Sequence, residues 1–422
     1  MTKHRLPLLA LLLFAVSYGL FPATQSVAER FCLARADAHE RTTAVPATAV
    51  PDQLCLTWSG DPATTQTVQW RTSPAVAQSA VQYRLSGGDA GEVTEVKAGL
   101  QVLEDPLLVN DPANHRFTAT ITELTPNTAY IYRVGNPAAN VWTEWTEFTT
   151  APLDAGPFSF AYLGDAQLGY EEWGRLLHRA AEQRPGPAFY LMAGDLANRG
   201  NDREDWDALF HAAQGVYNRR PVMPAIGNHE YTREENPRLF LDMFTLPKNG
   251  PAGIPPERTY RFAYRNALFL VLDSNQPADA QRAWLAEQLA ASNATWNFAL
   301  FHHPVYSSAP RRDNPEIREH WGAVFDEYHV DMVFTGHDHA YLRTPPMRAG
   351  QAVASAAQGT YYVVANSGLK HYEQESHEYA AVAFTDIPTY QLIDIETSGG
   401  NTLTYRAYDA NGNVRDEVII EK

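Results

Sequence analysis

The chain is 422 residues long, 45% hydrophobic, 11% aromatic and 19% charged, with a formal net charge of −16. That composition excludes a long disordered tract and supplies more than one core. The negative balance excludes a broad nucleic-acid-binding or anionic-membrane surface, so a site for an anionic substrate needs local positive charge of its own.

The first residues have the pattern of an export signal: basic Lys3, His4 and Arg5, an apolar Leu6-to-Phe21 run, then the small-residue step Ser26-Val27-Ala28. The apolar run falls short of the roughly 20 residues that span a bilayer. Residues 1–28 are therefore expected to be a cleaved signal peptide, leaving a secreted or periplasmic protein with no membrane span. Residues 29–45 read as a linker. The chain's two cysteines, Cys32 and Cys55, both follow the cleavage step and could pair in an oxidising compartment.

From Pro46 to Thr150 apolar residues recur at every second position. Val68 and Trp70, then Val81, Tyr83 and Leu85, then Phe117, Ala119 and Ile121, then Tyr130, Tyr132 and Val134 each follow this period. That is the spacing of half-buried strands, and residues 46–150 are expected to form an all-β sandwich. The stretch "ELTPNTAYIYRV" resembles the corner of a fibronectin type III domain, with Tyr130 bonded back to the corner backbone.

At Ala151 the pattern changes to apolar strands alternating with helices, so residues 151–422 are expected to be an α/β domain. "FSFAYLGD", "AFYLMAGD", "VMPAIGNHE", "WNFALFHHP" and "VDMVFTGHDH" are apolar runs that each end in a polar motif. Continuous apolar strands imply a sheet covered on both sides. Between the last two runs Asn314 is placed to cap a helix and Pro315 to open it, with Ile317, Trp321, Val324, Phe325 and Tyr328 as its packing face. "YQLIDIET", "LTYRAYD" and "VRDEVIIEK" are expected to close the sheet as antiparallel members.

Ligands of α/β folds lie at the carboxyl ends of the strands. There the chain offers Asp165 and Gln167, Asp195, Asn228 and His229, His302 and His303, and His337 and His339. All are expected at one edge of one sheet. In an extended "GHDH" segment His337 and His339 would face one point and Asp338 the other way. Oxygen and imidazole donors without thiolates suit Zn, Mn or Fe ions, and the donors outnumber what one tetrahedral ion needs. Two metal ions are therefore expected.

"GDLA", "GNHE", "FHHPVYSS" and "GHDHAYLRT", in that order, resemble the calcineurin-like metallophosphoesterases, and the purple acid phosphatases in particular. The resemblance implies an N-terminal fibronectin type III-like domain followed by a metallophosphoesterase domain, a β-sheet sandwich flanked by helices. It implies that Asp195 bridges two metals, that Asp165 and His339 hold the first with Gln167 beside them, and that Asn228, His302 and His337 hold the second. His229 would be the phosphate contact and general acid. The implied activity is hydrolysis of a small-molecule or polymer phosphoester by a hydroxide held at the metal pair. A phosphodiester or nucleotide substrate on the same core, and a catalytically silent binding protein, are the alternatives.

Two positions depart from the family. Asn198 stands where the purple enzymes have a tyrosine, and Gln167 where other members have a histidine. Without the tyrosinate, a pair of divalent ions fits better than a ferric–divalent pair. Arg199, Glu230, Arg343, Lys370 and His371 are further candidates for the pocket. His178, His211, His320 and His329 need no special role, and Met192 and Met223 read as core.

Overall fold

The computed structural model describes residues 39–87, 92–183, 186–231 and 236–422. The expected signal peptide and Cys32, and with it the pairing to Cys55, lie outside the described residues. Among the described residues, no helix is long and apolar enough to cross a membrane.

The N-terminal region is a sandwich of two antiparallel sheets. One runs Asp52–Thr57, Gln66–Thr72, Ala113–Ile121, Gly99–Glu104; the other runs Thr94–Lys97, Ala80–Leu85, Ala129–Asn136, Val141–Trp142, with Thr146–Thr149 also on Ala129–Asn136. Val68, Trp70, Val81, Phe117, Ile121, Tyr132 and Val134 fill the space between them. Leu85 departs from its predicted core position: it ends its strand and is 56% exposed. Tyr130 makes the expected corner bond, its hydroxyl oxygen accepting from the Thr125 N–H at 2.9 Å.

Every residue of Gln66–Thr72 is buried, because the outer face of that sheet packs on the C-terminal region. The Leu56 N–H donates to the Tyr217 carbonyl at 2.9 Å, and the Tyr132 hydroxyl donates to the Asn218 carbonyl at 2.7 Å. Trp58 inserts among Phe189, Phe262 and Tyr264, with ring centroids 5.3, 5.7 and 5.7 Å away. Burying an indole of ~200 Å² is worth about 5 kcal/mol at most, so this joint is apolar as well as hydrogen-bonded.

Beside a small hairpin of Met347–Arg348 and Gln351–Ala352, the C-terminal region holds two large sheets where sequence reasoning gathered the motifs on one. The first runs Val222–Pro224, Tyr190–Met192, Phe158–Leu163, Thr389–Glu396, Thr402–Asp409, Val414–Glu421. Its first three strands are parallel and its last three antiparallel, as expected of the closing segments. The second runs Tyr260–Tyr264, Ala267–Val271, Trp296–Leu300, Met332–Thr335, Tyr361–Val364, Tyr341–Arg343, Val382–Phe384.

The two sheets meet face to face through aromatic side chains. Phe160 of the first lies 5.2, 5.5 and 6.0 Å from Phe269, Phe298 and Phe334 of the second. The period of two then sends Leu268 and Leu270 outward under the helix Ala278–Ala290. The helix Tyr170–Gln183 and the helix Arg203–Ala212 contribute Trp173, Leu177, Trp206 and Leu209 to the core of the first sheet. The result is an α/β metallophosphoesterase fold behind a β-sandwich. The predicted helix after Asn314 is broken: Pro315–Ile317 is α-helical, Arg318–Gly322 a π-turn, and Ala323–Tyr328 α-helical again. Asn314 does not cap it, because its amide donates to the carbonyls of Pro304 and Arg312.

Candidate metal centre

Five strands, three from the first sheet and two from the second, end side by side. The tight segments after them carry the polar motifs into one buried space. Asp165, Asp195, His337 and His339 all have left-handed backbone, with φ of 26, 49, 75 and 47°. Such conformations cost a non-glycine residue of order 1–3 kcal/mol each, and they cluster where a side chain must be aimed. His337 and His339 thus reach the site through a left-handed turn, and not through the extended segment read from the sequence. Glycines make room for the carboxylates. A Cβ on Gly336 would lie 2.4 Å from Asp165 Oδ2, and one on Gly227 would lie 2.2 Å from Asp195 Oδ1.

Two groups of donors result. Ligand atoms of Asp165, Asp195 and His339 lie within 4.8 Å of one another, as do those of His302, His303 and His337. In the first group Gln167 Nε2 is 2.8 Å from Asp195 Oδ2 and 3.1 Å from His339 Nε2, while the buried Gln167 Oε1 has no hydrogen-bond partner among the described residues. Turned over, that amide would present its carbonyl oxygen to the same point. In the second group Asn228 Oδ1 is 3.0 Å from both His302 Nε2 and His337 Nδ1, and these nitrogens are 3.1 Å apart. Asp195 Oδ2 lies 3.2 Å from His302 Nε2, so a single carboxylate oxygen touches both groups.

The tautomers sharpen this. His302 Nδ1 gives its proton to the Ala193 carbonyl at 2.8 Å. Its Nε2 lone pair therefore faces Asn228 Oδ1, Asp195 Oδ2 and His337 Nδ1, a crowd of lone pairs that a proton or a cation would relieve. Without a cation, burial opposes charge on His302, but Asp195 overrides it and raises the imidazole to about 9. Asp195 is held well below the usual carboxylate range by His302 and His229 in spite of its burial. Burial and the neighbouring Asp195 push Asp165 well above that range. Burial, reinforced by surrounding cationic groups, pushes His337 far down and His339 to about 2. Converging lone pairs on weakly basic imidazoles and crowded carboxylates are the donor chemistry of metal ions, so the residues present fit a pair of cations.

His229 stands at the rim. Its backbone N–H donates to Asp195 Oδ1 at 2.9 Å, its Nδ1 bonds the Asn198 carbonyl at 2.6 Å, and its Nε2 lies 3.9 Å from Asp195 Oδ2. That tautomer leaves Nε2 aimed at the shared carboxylate. Tyr170 does not replace the missing tyrosine: its hydroxyl accepts from the Asn198 N–H, and burial, reinforced by Asp205, pushes it well above the usual phenol value.

Several surrounding residues differ from their sequence reading. Glu230 is fully buried, and its carboxylate accepts from the N–H groups of Asp195, Ala197 and Gly227 at 2.9, 3.0 and 2.7 Å. It ties the Asp195 and His229 segments together. Arg199 and Arg343 are committed elsewhere, to Asp202, Glu204 and Asp205 and to Asp416. Asp338 does point away, accepting from Ser307, Ser308 and Arg312 and so fixing the turn between the two histidines. Arg312, not singled out in the sequence, also donates to the His337 carbonyl at 3.0 Å. His303 Nδ1 bonds Ser274 Oγ at 2.8 Å, and its ring lies 4.3 Å from that of His337. The Ser367–Tyr372 segment packs over the first donor group, Tyr372 edge-on to His339 and the Lys370 ammonium 4.9 Å over the Tyr372 ring.

Residues 51–150 match the model of the purple acid phosphatase N-terminal domain, and residues 158–341 that of the calcineurin-like phosphoesterases. An uncharacterized protein of Mycobacterium tuberculosis is 27% identical over 336 residues, covering 70% of this chain and 62% of its own length. A probable purple acid phosphatase of Arabidopsis thaliana, number 20, is 27% identical over 314 residues, covering 69% of each chain. In fold, the purple acid phosphatase PPD1 of yellow lupin superposes with a TM-score of 0.75 at 19% identity, covering 88% of this chain and 74% of its own.

Proposed function

This chain belongs to the calcineurin-like metallophosphoesterases of the purple acid phosphatase type, and we propose from that premise that it hydrolyses phosphate esters at two divalent cations. Asp165, His339 and Gln167 would hold the first, Asn228, His302 and His337 the second, and Asp195 both. The observation that carries the reading is the single oxygen of Asp195 within 3.2 Å of donors from both groups. When bound, the cations would polarise a phosphoryl oxygen and bring a water toward deprotonation near neutral pH.

The chain's own residues divide the remaining work. Asp195 and Asp165 offset the charge of the ions, and Glu230 holds Asp195 in register. His229, with Nδ1 occupied by a carbonyl, keeps Nε2 for the leaving oxygen and delivers the proton that an alkoxide needs. The ammonium of Lys370 adds positive charge at the mouth, where an acidic protein would otherwise repel its substrate. The basic-apolar-small pattern of residues 1–28 supports export, and the corner bond of Tyr130 supports a fibronectin type III-like sandwich. Metal analysis of the purified protein beside an aryl phosphate assay tests the reading. Two divalent ions per chain and hydrolysis abolished by chelation are expected. A chain that binds two ions and hydrolyses no phosphoester would overturn the assignment as an enzyme.

A further inference from the structure

The segment that holds the imidazole of His229 is itself held from the N-terminal sandwich. The Asn198 carbonyl fixes Nδ1 of His229, and the next turn of chain fixes its backbone: Gly200 N–H donates to the His229 carbonyl at 2.9 Å. A Cβ on Gly200 would lie 2.4 Å from that carbonyl oxygen, so the two strips of backbone cannot slide past each other freely. Between Asn198 and Gly200, Arg199 spreads its guanidinium over Asp202, Glu204 and Asp205 at 3.1, 3.0 and 3.0 Å.

Two of those carboxylates have a second cation. Arg41, in the segment entering the sandwich, reaches Asp202 at 2.5 Å and Glu204 at 2.9 Å with Nη1. Its Nη2 takes both oxygens of Asp105, on the sandwich, at 2.8 and 2.9 Å. The backbone of Arg41 is stitched to the same region, its N–H donating to Leu107 and its carbonyl accepting from Val109. The guanidinium is only 10% exposed and Asp202 3%, so the cluster is shielded from the salt screening that makes surface pairs weak. Removing Arg41 would leave buried carboxylates short of positive charge and free to draw Arg199 toward them.

We propose that Arg41 is a positioning residue for catalysis: with Asp105 it clamps the sandwich to the Asp202–Glu204 corner and thereby holds the Asn198–Arg199 segment that aims His229. The proposal rests on the reading of His229 as the general acid. It gives the N-terminal domain a part in the reaction that the metal ligands, all on the C-terminal region, do not suggest. Shifts of about 1 Å in a catalytic group can cost on the order of 100-fold, and a loosened carbonyl contact should cost less, about tenfold.

The test is the leaving-group dependence of turnover in metal-loaded enzyme, from dinitrophenyl to alkyl phosphates. A leaving group that departs without a proton does not need His229; an alkoxide does. Arg41→Ala should slow alkyl phosphate hydrolysis about tenfold and dinitrophenyl phosphate less than twofold, with unchanged metal content. Asp105→Asn, which loosens the sandwich end alone, should show the same skew, and it decides the matter if Arg41→Ala fails to fold. Arg41→Lys should recover part of the loss, since an ammonium keeps the charge but not the fork. Equal slowing of every ester, or none, in both Arg41→Ala and Asp105→Asn would overturn the proposal. His229→Ala is run alongside: if it shows no skew, His229 is not the acid and the fault lies in that reading.

Discussion

Replacing Gly336 by alanine should cost the protein its first metal and part of its stability. The new methyl would sit 2.4 Å from Asp165 Oδ2, where a real Cβ contact needs at least 3.0 Å. A side-chain tip can often swing aside, but this one is fully buried and accepts twice from the His337 N–H, at 2.9 and 3.1 Å. Its backbone is already left-handed. Moving the carboxylate sacrifices a charge-assisted hydrogen bond worth about 1.5–3 kcal/mol, and leaving it in place strains the turn by about 1–3 kcal/mol. Whichever way the clash is relieved, the expected loss is about 1–3 kcal/mol in the metal-loaded protein. It would be read from the urea midpoint at saturating metal, beside metal content by mass spectrometry. One ion per chain in place of two is expected, with turnover at background. A Gly336→Ala protein that keeps two ions and its midpoint would refute the placement of Asp165.

Three further outcomes follow from the same geometry. His229→Ala should retain both ions, since its imidazole lies outside both donor groups, and lose about 10²–10⁴ in turnover on an alkyl phosphate; equal loss of metal and turnover would sink its role. The metal-loaded protein should be colourless because Asn198 supplies no phenolate, and a strong visible band in the wild type would contradict that. Lys370→Met, which keeps the stem over Tyr372 and removes the charge, should raise KM for an anionic aryl phosphate about tenfold with metal content unchanged, a loss of about 1.4 kcal/mol; an unaltered KM would place the ammonium outside the substrate's reach.

The candidate donors that the fold gathers were legible as a set because strand ends and motif order are written locally. An apolar run closed by a glycine and an acid, amide or imidazole announces its own position. What escaped was what depends on the third dimension. Sequence order does not reveal that the runs divide between two sheets, because each sheet alone is covered on both faces. Glu230 read only as a further candidate for the pocket, since nothing in "GNHE" tells that three N–H groups close around it. Arg199 and Arg343 looked like phosphate contacts by proximity in the chain, but carboxylates distant in sequence or on the next helix claimed them. Arg41 had no pattern around it at all. The left-handed turn at His337 and His339 was also hidden, because neither is a glycine and only the packing compels it.

The division of the donors between two sheets has a mechanical consequence. Asp165, Asp195 and Asn228 hang from the first sheet, and His302, His337 and His339 from the second. Each cation would then act as a rivet through both plates, adding to the aromatic packing and to cross-sheet bonds such as Arg343 to Asp416 and Tyr260 to the Pro224 carbonyl. Free ion at a thousand times its dissociation constant would tighten that joint by about 4 kcal/mol per site, so the heat resistance of this protein should track the metal supply of its surroundings as closely as its activity does.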